Sequence, residues 1–128
     1  MIQQEGPGWR LACDTSRPHF PVLIGGDGWA FEITEEEWQG LVALLSVLIE
    51  QHQSMQSLLM DQEAIELEME RGLWWGCLDG DRECWSLQVV LQGAAGHRGI
   101  EAHWPAPAAQ AFVMAMRTAW DSNGDKQG

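Results

Sequence analysis

Asp79, Asp81 and Glu83 stand at alternate positions, the one-three-five spacing with which a calcium-binding loop begins. The pattern stops there, because position six is Cys84, where a glycine must make the turn, and position twelve is Val90 instead of a bidentate Glu. The segment reads as the acidic tip of a hairpin. Cys77 and Cys84 flank that same turn and could face each other across it, and His97 and His103 flank the last strand. Zinc sites draw on a CxxC pair or a closely spaced His pair, and neither occurs. The expectation is buried thiols and no metal.

Nucleophilic catalysis needs a Ser or Cys poised beside a His, and no glycine-flanked serine elbow is present. Glu66, Glu68 and Glu70 could supply paired carboxylates, but a row at every second residue is what the wet face of a strand looks like. The chain is expected to be no enzyme and to need no cofactor.

One charge pattern goes further. Arg71 and the His97-Arg98 pair should lie at the same end of one sheet, beside Trp74 and Trp75. Arginine and exposed tryptophan together stack bases and meet phosphates, so these five residues are the candidate site for single-stranded nucleic acid or an acidic protein loop. The competing expectation, which is preferred, has Trp74 packing inward, Trp75 covering a sheet edge and the arginines solubilising loops.

A chain of 128 residues is the size of one domain with one core. Eight Trp with no Tyr and three Phe make tryptophan its main packing residue. Seven basic against nineteen acidic residues leave a net charge of −12, which repels phosphates and anionic lipid unless basic groups are concentrated locally. Three cysteines and no basic-then-apolar leader at Met1 fit a reducing, cytoplasmic compartment. The apolar run at 41–49 falls short of the roughly 20 residues a membrane span needs.

The elements that must position these residues follow from hydrophobic period. Bulky residues alternate at 9–13, 20–24 and 29–33, which predicts three strands before the first helix, with the glycine-rich run 25–28 as a hairpin turn. Thr34 with Glu37 three residues on fits a capping box, and Glu35, Glu36 and Glu37 suit the positive end of a helix dipole. From Trp38 an apolar stripe through Leu41, Val42, Leu45, Leu48 and Ile49 predicts a long core helix running past Met55 to Leu59. The second half repeats the programme. A strand alternates Ile65, Leu67 and Met69 with three glutamates, and further strands are predicted at 74–78, 84–92 and 99–104. A helix then starts at Pro105/Pro107 and runs to about Trp120. The fold class is α+β, antiparallel strands followed by a helix, twice, in a single domain over 1–120 with a polar, disordered tail at 121–128.

At these residues the chain resembles a known family. The stretches Phe20-Pro-Val-Leu-Ile-Gly-Gly-Asp-Gly-Trp29, Arg71-Gly-Leu-Trp-Trp-Gly-Cys77 and His103-Trp-Pro-Ala-Pro-Ala-Ala109 are similar to those of a cyanobacterial domain-of-unknown-function family, number 1818. The resemblance implies a Whirly-like fold, shared with single-stranded-DNA-binding transcriptional regulators, and with it a candidate activity. Fold likeness alone does not transfer function. Two function classes follow. The first is a regulatory or protein-interaction module whose acidic surface docks a basic partner. The alternative is a single-stranded nucleic-acid binder using Arg71, Trp75 and Arg98. The charge balance and the single Lys favour the first. No membrane is expected as a partner, and the state is monomer or homodimer.

Overall fold

Alternation of inward apolar and outward polar residues builds two four-stranded antiparallel sheets, each followed by a helix. The computed structural model describes residues 1–56, 64–81, 83–93 and 98–127, with side chains through Trp120. The first half comprises β1 (Ile2–Gly6), β2 (Trp9–Cys13), β3 (Val22–Gly26), β4 (Trp29–Ile33) and α1 (Glu35–Gln56). The second comprises β5 (Ile65–Arg71), β6 (Trp74–Gly80), β7 (Trp85–Leu91), β8 (Ile100–Trp104) and α2 (Ala108–Gln127). Both sheets are simple meanders, ordered β1-β2-β3-β4 and β5-β6-β7-β8.

Each helix packs on the sheet of the other half. α1 lies against β5 and β6, while α2 lies against β1 and β2 and also touches β7. The sheets meet where β8 approaches β3, and there Trp104 Nε1 donates to the Gly25 carbonyl at 2.9 Å. Trp104 also stacks on Phe112 of α2, ring centroids 4.1 Å apart. Trp38, Trp74, Trp104 and Phe112 head the fully buried side chains, so aromatic area dominates a core shared by both halves.

The capping box forms as the sequence predicts. Thr34 Oγ1 accepts from the Glu37 amide at 3.1 Å, and Glu37 Oε1 accepts from the Thr34 amide at 2.9 Å. The expected inner rows hold too: Trp85, Leu87, Val89 and Leu91 on β7, and Ile100, Ala102 and Trp104 on β8, are all buried.

Four boundaries differ from expectation. β1 is a fourth strand before α1, hidden in the sequence because its inward positions are Ile2, Gln4 and Gly6. β3 spans Val22–Gly26 instead of 20–24, since Gly26 pairs with Trp29 and the indole occupies the space a side chain would need, 2.5 Å from an ideal Cβ. The turn is therefore Asp27-Gly28 alone, with Gly28 at φ 82°. β6 continues through Asp79 to Gly80, two residues into the expected turn. α2 runs to Gln127, helical where a disordered tail was expected. The expected extension of α1 to Leu59 lies outside the described residues.

Candidate functional site

The ladder register brings four of the five expected site residues to one end of the second sheet. Arg71 pairs with Trp74, Trp74 with Leu91 and Leu91 with Ile100, two residues beyond Arg98. His97 lies outside the described residues.

The sheet then divides them between its faces. Trp74 points inward and is 1% exposed; its Nε1 donates to the Glu37 carbonyl at 2.9 Å, and Gly40 of α1 leaves room for the ring. Arg98 reaches the same helix end, donating to Glu37 Oε1 at 2.7 Å with its guanidinium 5.0 Å from the Phe20 ring centroid. Trp75 lies on the opposite face between Glu70 and Val90 and is half-buried. Arg71 is exposed at the turn. The inward packing expected of Trp74 is what the structure shows, and Arg98 serves as an ion-pair partner of α1.

The outer face of the second sheet gathers more charge than the sequence alone showed. Across paired strands its rows read Glu66, Asp79, Ser86; then Glu68, Cys77, Gln88, His103; then Glu70, Trp75, Val90, Glu101. Five carboxylates thus share one face with no Lys or Arg among its positions. Among the described residues their side-chain partners are neutral: Gln92 Nε2 donates to Glu70 at 3.1 Å and Gln88 Nε2 to Glu101 at 3.0 Å. Glu66, Glu68 and Glu70 were legible as a wet row. Asp79 and Glu101 join them only through register, and Asp79 was hidden by its assignment to a turn.

Glu66, Glu68 and the Cys77 Sγ offer ligand atoms within 4.8 Å of one another, the group among the described residues that could converge on a cation. Burial and the neighbouring carboxylates, Glu66 foremost, push the Cys77 thiol up to about 11, so it stays protonated beside them. The other sequence candidates separate. Cys77 is half-buried and faces Gln88 in the ladder, whereas Cys84 sits exposed beyond the Gly80–Trp85 pair at the hairpin tip, so the expectation of two buried thiols holds in part for Cys77 and fails for Cys84. Asp81 Oδ1 accepts from the Glu83 and Cys84 amides at 3.0 and 2.8 Å, which makes it a turn cap.

The equivalent face of the first sheet is mixed in charge. Arg10 lies opposite Glu5, and Arg17 pairs with Glu32 at 3.1 Å. A cleft of about 780 Å³ beside the start of α1, lined by Cys13, Arg17, His19, Glu35, Glu36 and Trp120, also mixes both signs. The one-signed surface belongs to the second half. No described helix is long and apolar enough to cross a membrane.

Comparison with known proteins assigns this face no activity. A family model described as Domain of unknown function (DUF1818) matches residues 4–119. A search of curated proteins finds no match. Among solved structures, the chain is similar to a crystal structure of a protein with unknown function from Prochlorococcus sp. NATL2A, titled as of the DUF155 family. The two share 43% identity and a TM-score of 0.85, over 94% of this chain and 99% of that one. The two family labels differ, and the one matched directly on this chain's residues decides membership.

Proposed function

The chain belongs to the DUF1818 family, whose description names no activity, and from its surface we propose a non-enzymatic protein-interaction or regulatory module that docks a basic protein segment. The proposal takes the doubled strand-helix pattern as a Whirly-like scaffold working as a single domain. The observation that carries it is the outer face of β5 to β8, where five carboxylates share one face with Trp75 and Val90 and, among the described residues, no Lys or Arg occupies a ladder position on it. A field of one sign over a flat sheet steers a cationic partner and repels phosphate. Half-buried Trp75 supplies the apolar contact that a purely ionic surface lacks.

The test is a fluorescence titration of the protein and of its Trp75→Phe variant with an oligolysine peptide and with a mixed-sequence single-stranded oligonucleotide, at low and high salt. The module reading expects a saturable, salt-sensitive response to oligolysine that is reduced in the variant, and none to the oligonucleotide. The opposite pair of responses makes the protein a nucleic-acid binder and overturns it.

A further inference from the structure

The second sheet ends on β5, and among the described residues no strand pairs with its outer edge. Such an edge presents unpaired backbone N–H and C=O groups, which a peptide can meet by adding itself as a further strand. β5 is seven residues long against five for β1, the matching edge of the first sheet.

Side-chain pattern selects what such a peptide must be. Glu66, Glu68 and Glu70 project to the outer face at alternate positions, about 6.7 Å apart along the strand. The carboxylates of Glu66 and Glu68 come within 4.8 Å of each other, a like-charge approach that a cation between them relieves. On the other face Ile65, Leu67 and Met69 are half-buried beside α1, with Leu67 and Met69 packed on the core. A strand added at this edge alternates in the same way, because directly opposed residues share a face. Its cations then stand opposite the three glutamates, and its apolar residues extend the row of Ile65, Leu67 and Met69.

We propose that β5 is an edge-docking site for an extended basic segment of a partner protein, with Lys or Arg at every second residue and β-branched apolar residues between them. The proposal rests on the docking reading above and adds to it the place, the backbone conformation and the residue order of the ligand. Affinity comes from the edge hydrogen bonds, and the spacing of the glutamates provides specificity.

The experiment uses the whole chain and three synthetic peptides of equal charge: alternating Lys-Val repeats, the same residues in two blocks, and the alternating peptide N-methylated at every backbone amide. Binding is followed by calorimetry and by hydrogen exchange of the amides of 65–71. The alternating peptide is expected to bind about tenfold or more tightly than either control and to slow exchange along β5, since strand addition needs both spacing and free amides. Glu68→Gln is expected to weaken it, and this residue is exposed, so the variant folds. Equal binding of all three peptides overturns the edge inference and leaves charge-driven docking standing. No binding of any peptide overturns both. Protection confined to β1 also overturns the inference, placing the peptide on the other sheet.

Discussion

Trp104 Nε1 donates to the carbonyl of Gly25 at 2.9 Å and so ties the last strand of the second sheet to the third strand of the first. The pair is buried, and seventy-nine residues separate its members in sequence. Each half of the chain is completed by the other, first through this bond and again through helices packed on opposite sheets.

Trp104→Phe removes that donor and shrinks a side chain of 0% exposure. A cost of about 2–4 kcal/mol is expected, measured by denaturant unfolding. Trp38→Phe is the control. Trp38 is equally buried, but its Nε1 has no hydrogen-bond partner among the described residues, so its loss is expected to cost about 1–2 kcal/mol less. Equal costs would show that ring volume, and not the Gly25 bond, holds the junction.

Exchange of helices between halves also predicts how the chain unfolds. Neither sheet keeps its cover if the other half opens, so far-UV circular dichroism and tryptophan emission are expected to trace one coincident transition. Two separated transitions would mean that the halves are independent units, and the reading of one domain would fall.

His52 supplies a pH dependence. It is 2% exposed, its ring edge-on to Trp85, and burial holds its pKa below the ordinary 6.5, offset in part by the Gly80 carbonyl and Asp81. The unfolded chain therefore binds this proton more readily than the folded one. Stability from this group is complete above 6.5 and is lost as pH falls from there through the depressed folded value. His52→Gln is expected to flatten the fall in unfolding free energy below about pH 6.5, and an unchanged slope relative to the parent would remove His52 as the cause.

The three thiols should differ in reactivity for reasons of burial and charge. Cys13 is buried, and desolvation together with Glu35 raises its thiol to about 11; Cys77 is raised to about 11 in its carboxylate setting. Only the exposed Cys84 lacks such cover. At about pH 8 a thiol-disulfide reagent is expected to label one cysteine quickly and all three after denaturation, because the thiolate is the reactive form. Rapid labelling of two or more native thiols would contradict these surroundings.

Much of this architecture was legible in the residues because it is local. The capping box of Thr34 and Glu37, the alternation of Glu66, Glu68 and Glu70, and the inner rows of β7 and β8 each depend on neighbours a few positions apart. What was not legible depends on register and on partners far along the chain. Gly25 and Gly26 look like turn residues until Trp29 and Trp104 pack against them, and Asp79 joins the acidic face only through its pairing with Glu66. The four described residues of the candidate site share one end of the sheet but divide between its faces for the same reason. Adjacent residues of a strand face opposite ways, so Trp74 and Trp75 could not both face one ligand.

That division leads to a last prediction, which separates two arginines the sequence treats alike. Arg98 meets Glu37 Oε1 at 2.7 Å, and the same oxygen accepts the Thr34 amide that starts α1. Arg98→Glu therefore places a second carboxylate against the helix cap and is expected to cost about 1–2 kcal/mol, comparable with deleting the cap by Thr34→Ala. Arg71 is exposed and joins no such network, so Arg71→Glu is expected to change stability by less than about 0.5 kcal/mol. Denaturant unfolding of the three variants decides the matter. If Arg98→Glu proves as mild as Arg71→Glu, Arg98 is not held by α1 and is available at that end of the sheet for a ligand.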